Sequence, residues 1–178
     1  HLVAHGWNRL APTAYDRGLG MFPDEFLAFL QESQPREWQQ LVVRLGGEQA
    51  ARVKVVERVA AQLTSRGTIG VLRGAVKMNG VTFRTCIFAP ANTLTPELGE
   101  KFAAVRCGVV RQLHHSESTP ADSLDLVFVV NGIPTATAEL KNPLTGQTVA
   151  HAMAQYRTDR NPADLIFRAR AFVHFAVD

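Results

Sequence analysis

The sequence predicts an α/β protein in which amino-terminal helices pack around a central mixed sheet. Apolar residues recur at helical spacing between Asp24 and Ser65. Beyond residue 67 the pattern changes to strand-like runs, and two Asn-Gly pairs lie between such runs, which is the strongest short signal of a β-hairpin. A helical stretch between Lys141 and Ala171 then links two strands in the βαβ manner, which places parallel strands in the same sheet.

Composition sets broad limits on the kind of protein. The chain has 178 residues, of which 46% are hydrophobic, enough to bury a sizeable core in one domain. The net charge of +3 and the pI near 9.2 are compatible with a polyanionic partner. Cys86 and Cys107 lie in apolar runs without metal-ligand spacing, which favours free thiols. The sequence contains no signal peptide and no apolar run long enough to span a membrane, so we expect a cytoplasmic protein without a membrane partner.

The amino-terminal part, about residues 1–66, is predicted to be helical. Residues 1–7 resemble the last turn of a helix that ends at Gly6. A helix begins near Asp24, breaks at Gln34-Pro35 and resumes to about residue 44, and another covers about 48–65 with Gly67 as its stop. Because the chain opens on a helix end and closes directly after a strand, we expect a fragment of a longer chain.

The remaining part, about residues 67–178, is predicted to hold the sheet. Strands at 68–73 and 81–88 flank the first Asn-Gly turn, residues 90–99 form a loop or a helix start, and a strand at 105–113 ends in His114-His115. Adjacent residues on a strand point to opposite faces, so at most one of these histidines can join a cluster. Residues 171–177 form the last strand, in which His174 is expected to be a satisfied interior histidine.

The central hairpin carries the charged groups of greatest interest. Its strands, 124–130 and 135–141, are joined by Asn131-Gly132. Asp125 opens the first strand, and Glu139 and Lys141 close the second. Since the outer ends of an antiparallel pair meet at one edge, we expect these three side chains to cluster.

The register of this hairpin decides whether the cluster forms. A strict two-residue turn would pair Asp125 with Ala138, whereas one extra residue pairs Asp125 with Glu139. Pro134 argues against a perfect ladder, so the sequence predicts a bulge and the second register.

A cluster of two carboxylates and a lysine suits metal-dependent phosphodiester hydrolysis. Two carboxylates can hold Mg²⁺, which keeps several waters and takes phosphate oxygens. A neighbouring lysine can orient or help to deprotonate the attacking water, or neutralise the developing charge. The alternative is a surface hairpin with a few solvated charges, because an acid followed by E-x-K is a weak signal by spacing alone.

Further polar groups are predicted to lie near this cluster. After a turn at Asn142–Gly146, a helix from about residue 147 to 160 places His151, Gln155 and Asp159 on one stripe. Arg157 and Arg160 add positive charge that suits a phosphodiester substrate. On the strand before the hairpin, Arg111 and Gln112 are expected to contact DNA phosphate or to pair with the neighbouring carboxylates.

These residues carry a resemblance to a known family. The series LVFVVNGIPTATAELKNPLTGQTV, followed by QYRTDR and VHFAVD, resembles the amino-terminal nuclease domain of the restriction (R) subunit of type I restriction-modification enzymes. The upstream pieces GWNR, FLQESQPREWQQL, LRGAVKMNG and VVRQLHHS agree with it in order. The resemblance therefore covers nearly the whole chain as one nuclease domain.

The resemblance implies a PD-(D/E)xK restriction-endonuclease-like core and named roles for the site residues. Asp125, Glu139 and Lys141 match the D…E-x-K of that superfamily as catalytic residues, with the two carboxylates as metal ligands. Gln155 and Tyr156 lie in the helix where many members carry Q-x-x-x-Y, but the residue four before Tyr156 is Ala152, so the chain departs from that pattern. Members often carry a glutamate in a first helix, and we expect this chain to begin after the position where that residue would lie, so it is not assigned.

The implied function is that of a type I site-specific deoxyribonuclease domain that cleaves double-stranded DNA with Mg²⁺ and without sequence recognition of its own. The implied partners are the motor domains of the same subunit and the methyltransferase (M) and specificity (S) subunits. ATP would serve only those motor domains, because this sequence lacks a GxxxxGK[ST] loop. The alternative is a non-catalytic DNA-binding and docking module of a larger complex, which need not bind Mg²⁺.

Overall fold

The computed structural model describes residues 1–92, 94–141 and 147–178. Its α-helices are α1 (Pro23–Ser33), α2 (Pro35–Leu45), α3 (Glu48–Arg66), α4 (Thr68–Leu72), α5 (Pro96–Ala103), α6 (Val149–Ala154) and α7 (Leu165–Ala169). Its strands are β1 (Asn8–Arg9), β2 (Ala75–Met78), β3 (Val81–Arg84), β4 (Cys107–His114), β5 (Ser123–Val130), β6 (Ile133–Leu140) and β7 (Val173–Val177). None of the helices in these ranges is long and apolar enough to cross a membrane.

The amino-terminal helices form where the sequence predicts them. Pro23 and Pro35 lie in the first turns of α1 and α2, where the missing N–H costs no helical hydrogen bond. Gly46 ends α2 in the left-handed conformation, and Gly67 follows α3. Residues 3–5 form only a 3₁₀ turn before Gly6.

The strand predicted at 68–73 is wrong, because these residues form the short helix α4. Its β-branched residues mimic a strand in composition, but its buried side chains Thr68, Val71 and Leu72 follow helical spacing while Ile69 is exposed. The Asn79-Gly80 turn is confirmed, but its first strand is β2 and its second strand β3 ends at Arg84, earlier than the predicted 81–88. The hairpin is a separate two-stranded sheet.

The main sheet is mixed, as predicted. Among the described residues it has five strands in the order β1-β4-β5-β6-β7. Strand β5 is antiparallel to both β4 and β6, whereas β1 lies parallel to β4 and β7 lies parallel to β6. The parallel pair β6 and β7 is joined through α6 and α7, which confirms the predicted βαβ connection.

The predicted bulge in the central hairpin is confirmed. Val129 pairs with Pro134, but Phe128 pairs with Ala136, so Thr135 is the extra residue of β6. The Thr135 hydroxyl donates to the carbonyl of Phe128 at 3.1 Å. The shifted register, continued one pair beyond Leu126 and Ala138, places Asp125 opposite Glu139.

Two apolar cores stabilise the fold. The first joins α1 to α4 with the β2–β3 hairpin and reaches Ile133 of β6. The second lies on the main sheet, where Val110, Val127 and Val129 pack with Phe22 and Ile166. The sheet is thereby held against both the amino-terminal segment and α7, which fixes the strand ends that carry the charged residues.

The crossover from β6 to β7 differs in detail from the predicted helix at 147–160. Helix α6 follows Thr148, whose backbone N–H donates to His151 Nδ1 at 3.1 Å. Residues 155–159 form a π-helix rather than α-helix. The turn predicted at 142–146 lies outside the described residues.

Candidate active site

Asp125 lies at the edge where β4, β5 and β6 meet. Its Oδ1 accepts a hydrogen bond from Gln112 Nε2 at 2.7 Å, and its Oδ2 accepts one from the backbone N–H of Leu140 at 2.8 Å. The second contact ties the start of β5 to the end of β6. The side chain is therefore held by both flanking strands, while each carboxylate oxygen keeps further acceptor capacity.

Glu139 lies beside Asp125 and is almost completely buried, with 2% of its side chain exposed. Its Oε1 accepts a charge-assisted hydrogen bond from Arg160 Nη2. Burial raises the pKa of the Glu139 carboxyl, the hydrogen bond and charge of Arg160 lower it, and the neighbouring Asp125 carboxylate raises it. The net effect is an upward shift of the pKa, because the burial of Glu139 outweighs the interaction with its arginine partner.

Lys141 follows β6 directly and is half-buried. Its Nζ donates to Oε1 of Gln155 at 2.7 Å, and its backbone N–H donates to the carbonyl of Val177. Gln155 begins the π-helix, so the crossover segment reaches back to the strand end it left. This contact gives Gln155 a definite place at the site although the Q-x-x-x-Y spacing is not kept.

Tyr156 and His174 both contact the hydroxyl of buried Thr137, which lies two residues before Glu139 in β6. The Thr137 hydroxyl lies 2.8 Å from the Tyr156 hydroxyl and 2.8 Å from His174 Nδ1. Burial raises the pKa of Tyr156 to about 12, with its bond to Thr137 opposing the shift. His174 is bonded as expected but lies on the exposed edge strand β7 rather than in the interior. The three side chains form one hydrogen-bonded group beside the carboxylate pair.

Gln112 has an unusual backbone conformation in the middle of β4. Its φ is +51°, in the left-handed region that non-glycine residues rarely adopt. The side chain so directed contacts Asp125 and also accepts a hydrogen bond from the Ser123 hydroxyl at 3.1 Å. Backbone strain of this kind concentrates at functional sites, where surrounding contacts offset it.

The remaining predicted residues lie in different settings. Arg111 and Arg157 are exposed, whereas only 6% of the Arg160 side chain is exposed and its guanidinium faces Glu139. Arg160 is thus a supporting residue rather than part of an exposed basic rim. His114 is exposed, and His115 is buried with its Nε2 3.4 Å from Asp164 Oδ2, so neither contacts the carboxylate pair. Cys86 and Cys107 are free thiols.

The donor set is small for a metal site. Within residues 1–92, 94–141 and 147–178, no group of three or more His, Cys, Asp or Glu side chains is arranged to hold a metal ion. Mg²⁺ is commonly bound through one or two carboxylates, with waters and substrate phosphate completing its shell. The pair Asp125 and Glu139 fits that mode and does not fit a closed all-protein site.

The sequence analysis did not predict the ion pair of Arg160 with Glu139. It also did not predict the hydrogen bond that the carbonyl of Ser123 accepts from Arg160. The two members of the ion pair are 21 residues apart. No local periodicity relates a strand end to a residue beyond a helical crossover, so the sequence held no signal for this contact.

The fold and the site together define an α/β protein in which a carboxylate pair and a lysine lie together at the ends of two adjacent interior strands. Residues 100–177 match the family model described as Type I restriction enzyme R protein N terminus. The resemblance inferred from the sequence is thereby confirmed over a segment that contains Asp125, Glu139, Lys141 and Gln155. Searches of curated proteins and of solved structures gave no match.

Proposed function

We propose that this chain is a metal-dependent endonuclease domain of a type I restriction enzyme R subunit, of the PD-(D/E)xK kind, which cleaves double-stranded DNA without sequence recognition of its own. The observation that carries the proposal is the adjacency of the Asp125 and Glu139 carboxylates at the hairpin end that Lys141 follows. The family match of residues 100–177 supports the biological setting.

Asp125 and Glu139 would hold the Mg²⁺ ion. Both oxygens of Asp125 are oriented by hydrogen bonds, and Glu139 is fixed through Oε1 only. Burial is the largest cause of the raised pKa of Glu139, and a divalent cation bound to the pair would favour the ionised form of this carboxylate. When bound, the ion supplies charge stabilisation at the scissile phosphate and lowers the pKa of a coordinated water.

Lys141 orients the attacking water and neutralises charge that develops on the phosphate. Gln155 holds the ammonium group at 2.7 Å, so the lysine approaches the site in a defined direction. Attack forms a bond from the water oxygen to phosphorus while the bond from phosphorus to the leaving sugar oxygen breaks. The water loses one proton and the leaving sugar oxygen takes up one, so the products are a phosphate monoester at one new end and a hydroxyl at the other.

DNA is the proposed partner, together with the motor domains of the same subunit and the M and S subunits. Arg111 and Arg157 are exposed and available for phosphate contacts. Replacing either arginine with alanine should weaken DNA binding equally on all sequences. It should also reduce the slope of the logarithm of affinity against the logarithm of salt concentration by about 1.

The test is DNA cleavage and ATP hydrolysis measured side by side in the restriction subunit. Glu139→Ala removes a metal ligand, so cleavage should fall by at least about a hundredfold. Lys141→Ala should lower cleavage by a similar factor while Mg²⁺ binding is kept, because both carboxylates remain. Neither substitution should change ATP hydrolysis.

Two outcomes would contradict the proposal. Normal cleavage by the Lys141→Ala protein would make the lysine structural. Loss of ATP hydrolysis in both variants, without any Mg²⁺ binding by the unmodified domain, would favour the docking-module alternative.

A further inference from the structure

Arg160 is a buried residue that contacts the Glu139 carboxylate. We propose that Arg160 is a positioning residue: it fixes the Glu139 carboxylate and clamps the ends of β5 and β6 so that Glu139 stays beside Asp125. This inference rests on the proposed metal-dependent nuclease function and adds to it a group that touches neither metal nor DNA.

One nitrogen of Arg160 makes both contacts of the clamp. Its Nη2 donates to Glu139 Oε1 on β6 and to the carbonyl of Ser123 on β5 at 2.7 Å. Ser123 precedes Asp125 by two residues, so Arg160 joins the two strands that supply the carboxylates. The two N–H groups of Nη2 are both used, which fixes the orientation of the guanidinium plane.

Burial makes this pair difficult to replace. The exposed fractions of the Arg160 and Glu139 side chains are 6% and 2%. Removing one partner of such a pair leaves an uncompensated buried charge. Lysine would keep the charge but not the planar fork, so it should restore the function only partly.

Arg160 is buried and lies close to the buried His115, whose pKa is lowered by burial and also by the charge of Arg160. Among the described residues, Arg160 Nε, both ring nitrogens of His115 and Asp164 Oδ2 are buried without a hydrogen-bond partner in the protein. Such groups in native proteins are usually satisfied by internal water. With 6% of its side chain exposed, Arg160 has little surface to offer to DNA phosphate.

The local sequence delivers Arg160 to this position. Gln155 is the first residue of the π-helix at 155–159, and Arg160 follows its last residue with extended backbone. Gln155 and Arg160 both reach the sheet edge, one at Lys141 and the other at Glu139. Pro162 follows and prevents the helix from continuing.

The experiment measures Mg²⁺ binding calorimetrically in the restriction subunit without ATP. The variants are Arg160→Gln, Arg160→Lys and Asp125→Asn, with Arg52→Gln as a matched control. Arg52 also forms an ion pair through Nη2, at 2.9 Å from Asp24, but Asp24 is 87% exposed and far along the chain from the site. DNA binding is measured in EDTA, and cleavage is measured against Mg²⁺ concentration.

We expect Arg160→Gln to weaken Mg²⁺ binding at least tenfold, to leave DNA binding in EDTA unchanged and to recover cleavage in part at high Mg²⁺. Arg160→Lys should bind Mg²⁺ with intermediate affinity, and Arg52→Gln should match the unmodified protein. Asp125→Asn should abolish binding at this site.

Each opposing result has a distinct meaning. If Arg160→Gln binds Mg²⁺ as tightly as the unmodified protein or more tightly, or loses DNA binding in EDTA, the positioning role is overturned. If Arg160→Gln does not fold, as judged by circular dichroism, Arg160→Lys decides, and unchanged Mg²⁺ affinity in that variant overturns the role. If Asp125→Asn does not alter Mg²⁺ binding, the proposed function itself fails.

Discussion

At the scale of single residues, the site is assembled from side chains that each satisfy a particular polar neighbour. Gln112 contacts Asp125, Gln155 contacts Lys141 and Arg160 contacts Glu139. The Asp125 and Glu139 carboxylates repel each other, because two carboxylates placed side by side disfavour each other's ionised form. The neighbouring polar groups hold them in place. In the proposed function, these supporting residues hold the two carboxylates in place for a cation.

Gln112 offers a test that separates backbone strain from side-chain contact. Gln112→Ala and Gln112→Gly both remove the amide that holds Asp125, but only glycine accepts φ +51° without steric cost. The relief of about 1–2 kcal/mol exceeds the entropic cost of glycine of about 0.5–1 kcal/mol. We expect Gln112→Gly to be the more stable variant by about 0.5–1 kcal/mol in urea denaturation.

Both Gln112 variants should bind Mg²⁺ more weakly than the unmodified protein. If Gln112→Ala equals Gln112→Gly in stability, the left-handed conformation is not maintained in solution. If Mg²⁺ affinity stays unchanged in both, Gln112 does not position Asp125.

At the scale of elements, the two Asn-Gly hairpins share a turn sequence but differ in their surroundings. In both, the asparagine and the glycine have positive φ, as a two-residue primed turn requires. The β2–β3 turn lies beneath the flexible end of Arg44, whereas the β5–β6 turn is buried against α1. There the carbonyl of Gly132 accepts a hydrogen bond from the N–H of Phe22 at 2.8 Å, and Asn131 bonds to Thr85 and Arg106.

This difference predicts unequal effects of the same substitution. A Cβ at position 132 would lie 2.7 Å from the backbone nitrogen of Phe26 and even closer to the carbonyl oxygen of Phe22. Gly80→Ala should cost about 1 kcal/mol for the positive φ, and the new Cβ displaces only the flexible end of Arg44. Gly132→Ala should have the same conformational cost, and its Cβ also pushes against the backbone of Phe22 and Phe26. We therefore expect it to be less stable than Gly80→Ala by at least about 3 kcal/mol.

The measurement is the free energy of unfolding of both alanine variants in urea. Equal losses would show that the hairpin end does not dock on α1 as described. A folded Gly132→Ala protein with weakened Mg²⁺ binding would show that the docking also sets the position of the strand ends.

At the scale of the whole molecule, a buried histidine links stability to pH. Burial lowers the pKa of His115 below its ordinary value of 6.5, although the nearby Asp164 carboxylate opposes this. The side chain is fully buried and packs edge-on against Phe167 at 5.3 Å. Protons therefore bind the unfolded chain before they bind the folded one, so stability is lost as pH falls from about 6.5 toward the lowered pKa.

His115→Gln should flatten this loss, whereas His114→Gln, its exposed neighbour, should keep it. The free energy of unfolding of all three proteins would be measured in urea at several pH values between about 7 and 5. The raised pKa of Glu139 acts in the opposite direction, since its protonation favours the folded state, but it is common to all three proteins and cancels in the comparison. Parallel curves for His115→Gln and the unmodified protein would contradict the prediction.

Local patterns in the sequence were sufficient for most of the fold and for the centre of the site. Pro23, Pro35 and Gly67 mark helix ends through their backbone chemistry, and Asn131-Gly132 marks the hairpin through positive φ. Pro134 indicated the bulge that brings Asp125 opposite Glu139, because proline cannot donate to the ladder. Each of these effects acts between residues that are neighbours in the chain, so the sequence alone determined it.

Only the tertiary structure decided which distant groups complete the site. The left-handed conformation of Gln112, the pairing of Arg160 with Glu139 and the enclosure of His115 all depend on segments that the sheet and the crossover bring together. Residues 68–73 became a helix for the same reason, since packing against the helical core outweighed their strand-like composition. Burial and the fixed direction of a partner's side chain arise from packing between distant segments, and no local pattern encodes them.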